Sequence, residues 1–267
     1  MSREAAAAAR VVYAIAYREV IRFLKDRSRW LGFIAQPLLY LTLIGYGIAH
    51  SMTFRSVPAA AHVNYLSFMY PGILGMSVLF TAIFSGVGII WDREFGFLRE
   101  VLVAPVPRWA VAVGKALGIA AIVVVQSAVL LALAPVAGIP LGVGMAAGVL
   151  GVAAVMGFGL GSLGIAIAAR MQSMEGFQFV MNVLTMPMFF LSGAMYPLRG
   201  LPVWLTVLTR VDPLAYGVDA LRNVVYGAGQ EVRLLVEYPV GLDLGVMAAL
   251  AAVLAVLGAW AFEGQET

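Results

Sequence analysis

The residues able to do chemistry lie mostly outside the apolar runs of this chain. The densest group is WDREFGFLRE, Trp91–Glu100, which carries Asp92, Arg93, Glu94, Arg99 and Glu100. Mixed charges at this spacing supply neither a nucleophile with its base nor a paired acid and base. They read as a short solvated helix able to make polar contacts with a partner. The two histidines, His50 and His62, stand alone and read as solvated side chains. The chain has no cysteine, which removes disulfides, thiol chemistry and Cys-based metal sites. Gly114–Lys115 is followed by Ala116 and lacks the earlier glycine of a phosphate loop. No catalytic, cofactor-binding or metal-binding residue is therefore expected, and the chain does not read as an enzyme.

The elements that must position these residues follow from composition. Of 267 residues, 62% are hydrophobic and 12% are charged, against about 25% charged in soluble domains. That surface chemistry excludes a soluble enzyme, and the high apolar content excludes disorder. A transmembrane barrel needs alternating segments of roughly 10 residues, and the apolar runs here are twice that length. The expected fold is an all-α integral membrane protein with six transmembrane helices. Each needs about 20 apolar residues, and the candidates are 30–49, 69–90, 109–133, 143–169, 177–196 and 244–262. Five contain no Asp, Glu, Lys or Arg; the third contains Lys115, near enough to its start to snorkel toward the interface.

An even number of spans puts both termini on one side. That side carries eleven Lys and Arg against five opposite, so both termini are expected to be cytoplasmic. The same bias gives the net charge of +3 an orienting role, with no call for nucleic acid. Residues 1–29 do not have the form of a cleavable signal. Ala5–Arg29 instead has Arg18, Arg22, Lys25 and Arg29 on one helical face and Val12, Ala16, Val20 and Phe23 on the other. This suits a helix on the inner membrane surface with its basic groups toward lipid phosphates. Residues 263–267 are expected to form a short cytosolic tail. The stretch Pro197–Asp243 holds two apolar pieces, Leu201–Thr209 and Leu214–Tyr226, too short to span and expected as outer helices. Uncharged polar groups also lie inside the spans: Gln36, Thr42, Thr81, Ser85, Gln126, Ser127, Asn182 and Thr185. Without carboxylates there, a proton-coupled carrier or an acidic-ring channel is disfavoured.

Three segments carry a family resemblance: Leu66–Leu117 (LSFMYPGILGMSVLFTAIFSGVGIIWDREFGFLREVLVAPVPRWAVAVGKAL), Phe189–Gly227 (FFLSGAMYPLRGLPVWLTVLTRVDPLAYGVDALRNVVYG) and the basic amphipathic helix before the first span. Together they resemble the permease subunit of type-2 ATP-binding-cassette (ABC) exporters, closest to the daunorubicin-resistance and nodulation lipo-oligosaccharide export subgroup. The resemblance implies a multi-pass protein of a bacterial inner membrane, paired with a second permease copy or a paralogue and with two copies of a cytosolic ATPase. That ATPase would hold the ATP and Mg. The coupling helix would be Asp92, Arg93, Glu94, Phe95, Gly96, Phe97, Leu98, Arg99 and Glu100. The path would be lined from spans one, two and five, with Gln36, Tyr40, Phe80, Thr81, Phe84, Asn182, Thr185 and Phe189 as candidates. Pro197, Pro202, Trp204, Asp212, Pro213 and Arg222 would belong to the outer gate region. The implied cargo is amphipathic (a drug, lipid or lipid-linked glycan), with polysaccharide as the alternative. A stand-alone carrier and a non-transporting scaffold are the competing classes.

Overall fold

A computed structural model describes residues 3–46, 65–96, 107–198, 200–227 and 236–263; among these it contains helices and turns and no strand. The first helix, α1 (Arg3–Lys25), is followed after Asp26 by α2 (Arg27–Leu39), which runs on as a π-helical segment, Tyr40–Tyr46. Pro37 sits inside α2 and has no N–H to donate to the preceding turn. The next long helix is broken once, into α3 (Tyr65–Phe84) and α4 (Val87–Glu94). Then come α5 (Arg108–Leu131), α6 (Val143–Arg170), α7 (Met174–Leu191), the short α8 (Val203–Val211) and α9 (Pro213–Tyr226), and α10 (Val240–Glu263). Five of these are long and apolar enough to cross a membrane: α3 with α4, then α5, α6, α7 and α10. The 24 residues of α5 reach about 36 Å at 1.5 Å each, enough for a hydrocarbon core of ~30 Å. The sequence boundaries for the third and fourth spans agree with α5 and α6, whereas the fifth and sixth begin three and four residues earlier than expected. The first expected span is described only as far as Tyr46.

α6 is the centre of the bundle because its glycines let three neighbours approach. A Cβ on Gly161 would lie 2.8 Å from Ile119 of α5, one on Gly159 3.0 Å from Ala251 of α10, and one on Gly164 2.5 Å from the Ile83 carbonyl of α3. Small residues in such rows permit close helix crossings where no hydrophobic effect drives association. A Cβ on Gly86 would in turn lie 2.6 Å from the Gly164 backbone, and the break between α3 and α4 falls here. Ser85 Oγ donates to the Thr81 carbonyl at 2.6 Å, occupying an acceptor of the preceding turn.

These contacts give a direct expectation. Gly164→Val should lower stability by about 1–3 kcal/mol or more, because the atom it meets is backbone and cannot rotate away. Gly151→Val, where nothing lies within 4 Å, should be near neutral. Thermal unfolding of the detergent-solubilised protein checks both; equal melting temperatures would show that the crossing tolerates the extra volume.

Candidate coupling corner and intramembrane cavity

The structure revises the Trp91–Glu100 segment. Asp92, Arg93 and Glu94 do not open a separate solvated helix; they complete α4, which ends at Phe95 and a turn at Gly96 with φ +78°. Phe97, Leu98, Arg99 and Glu100 lie outside the described residues, as do His50 and His62.

Asp92 is only 4% exposed. It accepts from Arg18 Nη2 at 2.7 Å and Lys115 Nζ at 2.5 Å, with Arg22 Nη1 at 3.5 Å. Glu19 joins the cluster, accepting from Lys115 at 3.2 Å and Arg18 at 2.8 Å. Burial pushes the Glu19 carboxyl up, but Lys115 and Arg18 outweigh it and hold the group below its ordinary value. The expectation that Lys115 snorkels is thereby corrected. It is 4% exposed and turns inward because two carboxylates receive it. Two basic groups expected toward lipid phosphates, Arg18 and Arg22 of α1, face Asp92 in the structure, and Arg22 also lies over the Trp91 ring at 5.5 Å.

The fit of α1 is built on two glycines. Cβ atoms on Gly114 and Gly118 of α5 would stand 3.0 Å and 2.8 Å from Ile15 and Glu19 of α1. The sequence GKALG is thus a small-xxx-small seat, with Lys115 beside it. Arg93 fastens the same corner to the end of α6, donating to the Met171 carbonyl at 2.8 Å and the Ala169 carbonyl at 3.1 Å. Those are C-terminal helix carbonyls, the acceptors a cation serves best. Glu94 and Phe95 remain outward, with Phe95 81% exposed. The corner is therefore a tied bracket of α1, α4, α5 and α6 whose tip projects.

Four of the expected path residues come together. Gln36, Phe80, Thr81 and Phe84 line a cavity of about 460 Å³ between α2, α3 and α5, joined by Gly32, Pro37, Ser77 and Gln126. The other four do not line it. Thr185 is fully buried and donates to the Met181 carbonyl of its own helix at 2.8 Å. Asn182 is exposed on α7, Phe189 is buried against Phe190, and Tyr40 is half-buried on the π segment.

At the opposite end, the expected outer residues serve several local roles. Asp212 accepts from Leu214 N at 3.0 Å and caps α9, with Pro213 at its first position. Pro202 precedes α8, and Trp204 is 66% exposed. Arg222, 2% exposed, donates to the Gly193 carbonyl and lies 4.3 Å from the Phe68 ring centre. Pro197 is half-buried in the link before α8. Asp219 was not singled out from sequence; it accepts from Glu237 N at 3.0 Å and Tyr238 N at 2.8 Å, which fixes the approach to α10.

A model of the ABC-2 type transporter family matches residues 10–226. The chain belongs to that family. It is 31% identical over 220 residues to a chain named as transport permease ycf38 of Cyanophora paradoxa, covering 79% of this chain and 72% of the relative. It is 28% identical over 235 residues to Nodulation protein J of Rhizobium meliloti (strain 1021), covering 84% and 81%. It is 26% identical over 165 residues to YbhR of Escherichia coli (strain K12), named as a multidrug ABC transporter permease, covering 61% and 45%. The ABC-2 assignment and the apolar helices make the chain a multi-pass membrane transport permease.

Proposed function

We propose that this chain is the membrane-spanning half of an ABC exporter that moves an amphipathic cargo out of the cytoplasm with ATP hydrolysed on a separate subunit. The observation that carries this reading is the Asp92 corner. A helix end tied to α1 and α5 by ion pairs and to α6 by Arg93 hydrogen bonds, with Phe95 exposed at its tip, is suited to passing a push on a cytosolic surface into several spans at once. Differential contact with the open and closed ATPase dimers then shifts the permease between conformations. The functional unit is two permeases, identical or paralogous, with two ATPases holding ATP and Mg, in a bacterial inner membrane. The topology is six spans with both termini inside: α2 with its π segment supplies the first, and α8 and α9 lie as short helices on the outer side.

The purified chain should show no ATP hydrolysis alone and should stimulate that of its cognate ABC ATPase when both are reconstituted. Hydrolysis by permease free of ATPase would overturn the assignment. The absence of native cysteine makes a topology test clean. A single cysteine at Trp204 should react with an impermeant maleimide in intact cells, and one at Phe95 only after lysis; the reverse pattern would invert the map.

A further inference from the structure

The cavity between α2, α3 and α5 has a feature that interhelical bonding leaves unexplained. Thr81 Oγ1 donates to Gln126 Oε1 at 2.5 Å, joining α3 to α5. This bond uses one half of the Gln126 carboxamide and fixes its direction. The other half, Nε2, has no hydrogen-bond partner among the described residues, and it is not sealed among the buried, unpartnered polar atoms. Since Gln126 lines the cavity and is 5% exposed overall, its free N–H groups open into that space. The carboxamide of Gln36, on the facing helix, is likewise without a partner among the described residues. Ser77 spends its proton on the Ile73 carbonyl at 2.8 Å, which leaves its oxygen as an acceptor. The Phe80 and Phe84 rings, 6.0 Å apart and 26° from parallel, form an apolar wall beside these groups.

We propose that this cavity is a subsite for the uncharged, hydroxyl-bearing head group of an amphiphile, with Gln126 as its principal reader. The claim deepens the export reading and rests on it. Hydroxyls both donate and accept, so they match a wall that offers carboxamide donors and acceptors together with a serine oxygen. The aromatic pair takes the C–H faces of a polyhydroxylated ring. An acyl chain would leave the Gln126 amide unmatched in an apolar site, and an unmade hydrogen bond there is costly. Among the described lining residues none is charged, so a charged head group would lose its hydration there without gaining a counter-charge from them. The volume of about 460 Å³ falls within the usual ~300–1,000 Å³ of small-molecule sites.

The test uses the full chain with its cognate ATPase in phosphatidylcholine nanodiscs. Binding of radiolabelled dodecyl maltoside, below its micellar concentration, is competed with dodecyl sulfate and dodecyltrimethylammonium, which keep the tail and add a charge. The neutral amphiphile should bind about tenfold or more tightly than either charged one, and Gln126→Leu should weaken it about tenfold. Thr81→Val, which frees the carboxamide to rotate, should weaken it severalfold. Val253→Ala, exposed on α10 and away from the cavity, should leave it unchanged. Should Gln126→Leu fold poorly, Gln36→Leu at an exposed position reads the same wall. Equal binding of charged and neutral heads, or wild-type affinity in the Gln126 and Gln36 variants, would overturn the subsite. ATP hydrolysis by the same samples separates the two claims. Coupled hydrolysis without head-group discrimination removes only the subsite; discrimination without coupling to the ATPase removes the ATP-driven export reading.

Discussion

Asp92→Asn should destabilise the protein by about 3–5 kcal/mol, the cost of removing one partner from a buried ion pair. Both Asp92 and Lys115 side chains are 5% exposed, so solvent screening gives little relief. Asparagine keeps the volume and removes the charge, leaving Lys115 and Arg18 to share Glu19 alone. The effect should appear as a large fall in melting temperature. It should also appear as faster trypsin cleavage near Lys25, because α1 loses its electrostatic hold on α4. Pairing Asp92→Asn with Lys115→Met should recover most of the loss, since a buried pair replaced on both sides is often near neutral. The double-mutant cycle gives the coupling energy directly. A single Asp92→Asn variant within about 0.5 kcal/mol of wild type would mean that glycine packing alone seats α1.

Helix positions were legible in this sequence because apolar runs without charge have one use in a chain this long. The two short helices α8 and α9 were legible for the complementary reason: Leu201–Thr209 and Leu214–Tyr226 are apolar yet too short to cross. The internal ion pairing was not read, because Asp92, Lys115 and Arg18 are far apart in sequence and each has a bland local explanation. Asp92 reads as part of a short charged helix, Lys115 as lying near a span end, and Arg18 as part of a basic face. A signal was present in GKALG, where two glycines four residues apart flank a lysine inside an apolar helix. Small residues imply a close neighbour, and a lysine there needs a carboxylate on that neighbour. Glu19 and Asp92 are those carboxylates. The cavity was half legible. Gln36, Phe80, Thr81 and Phe84 were chosen as path residues, but Gln126 and Ser77 were not, since a polar group in a span usually only bonds its neighbour. Which groups remain open after that bonding is a property of the packed helices.

Phe95→Ala should weaken binding of the cognate ATPase by roughly 30-fold while leaving the melting temperature of the isolated permease unchanged. Aromatic anchors at interface centres typically cost about 2 kcal/mol or more when truncated, and 1.4 kcal/mol is tenfold. The ring is 81% exposed, so its removal takes little from the fold. The contrast with Asp92, three residues earlier on the same helix end, is the discriminating point. Asp92 holds the bracket together, and Phe95 is what the bracket presents. Glu94→Arg belongs with Phe95 because Glu94 is exposed. It should cost about 2–5 kcal/mol of ATPase binding if its charge is desolvated in the complex and under about 1 kcal/mol at the rim. Gly96→Leu acts differently again. Nothing lies within 4 Å of a Cβ there, but φ is +78°, so leucine strains the turn and redirects the chain after it. Its expected signature is retained insertion and ATPase binding with reduced stimulation of hydrolysis. Co-purification and ATPase assays on the Phe95, Glu94 and Gly96 variants, at equal expression, read all three. Wild-type affinity and stimulation throughout would place the ATPase contact away from the tip of α4.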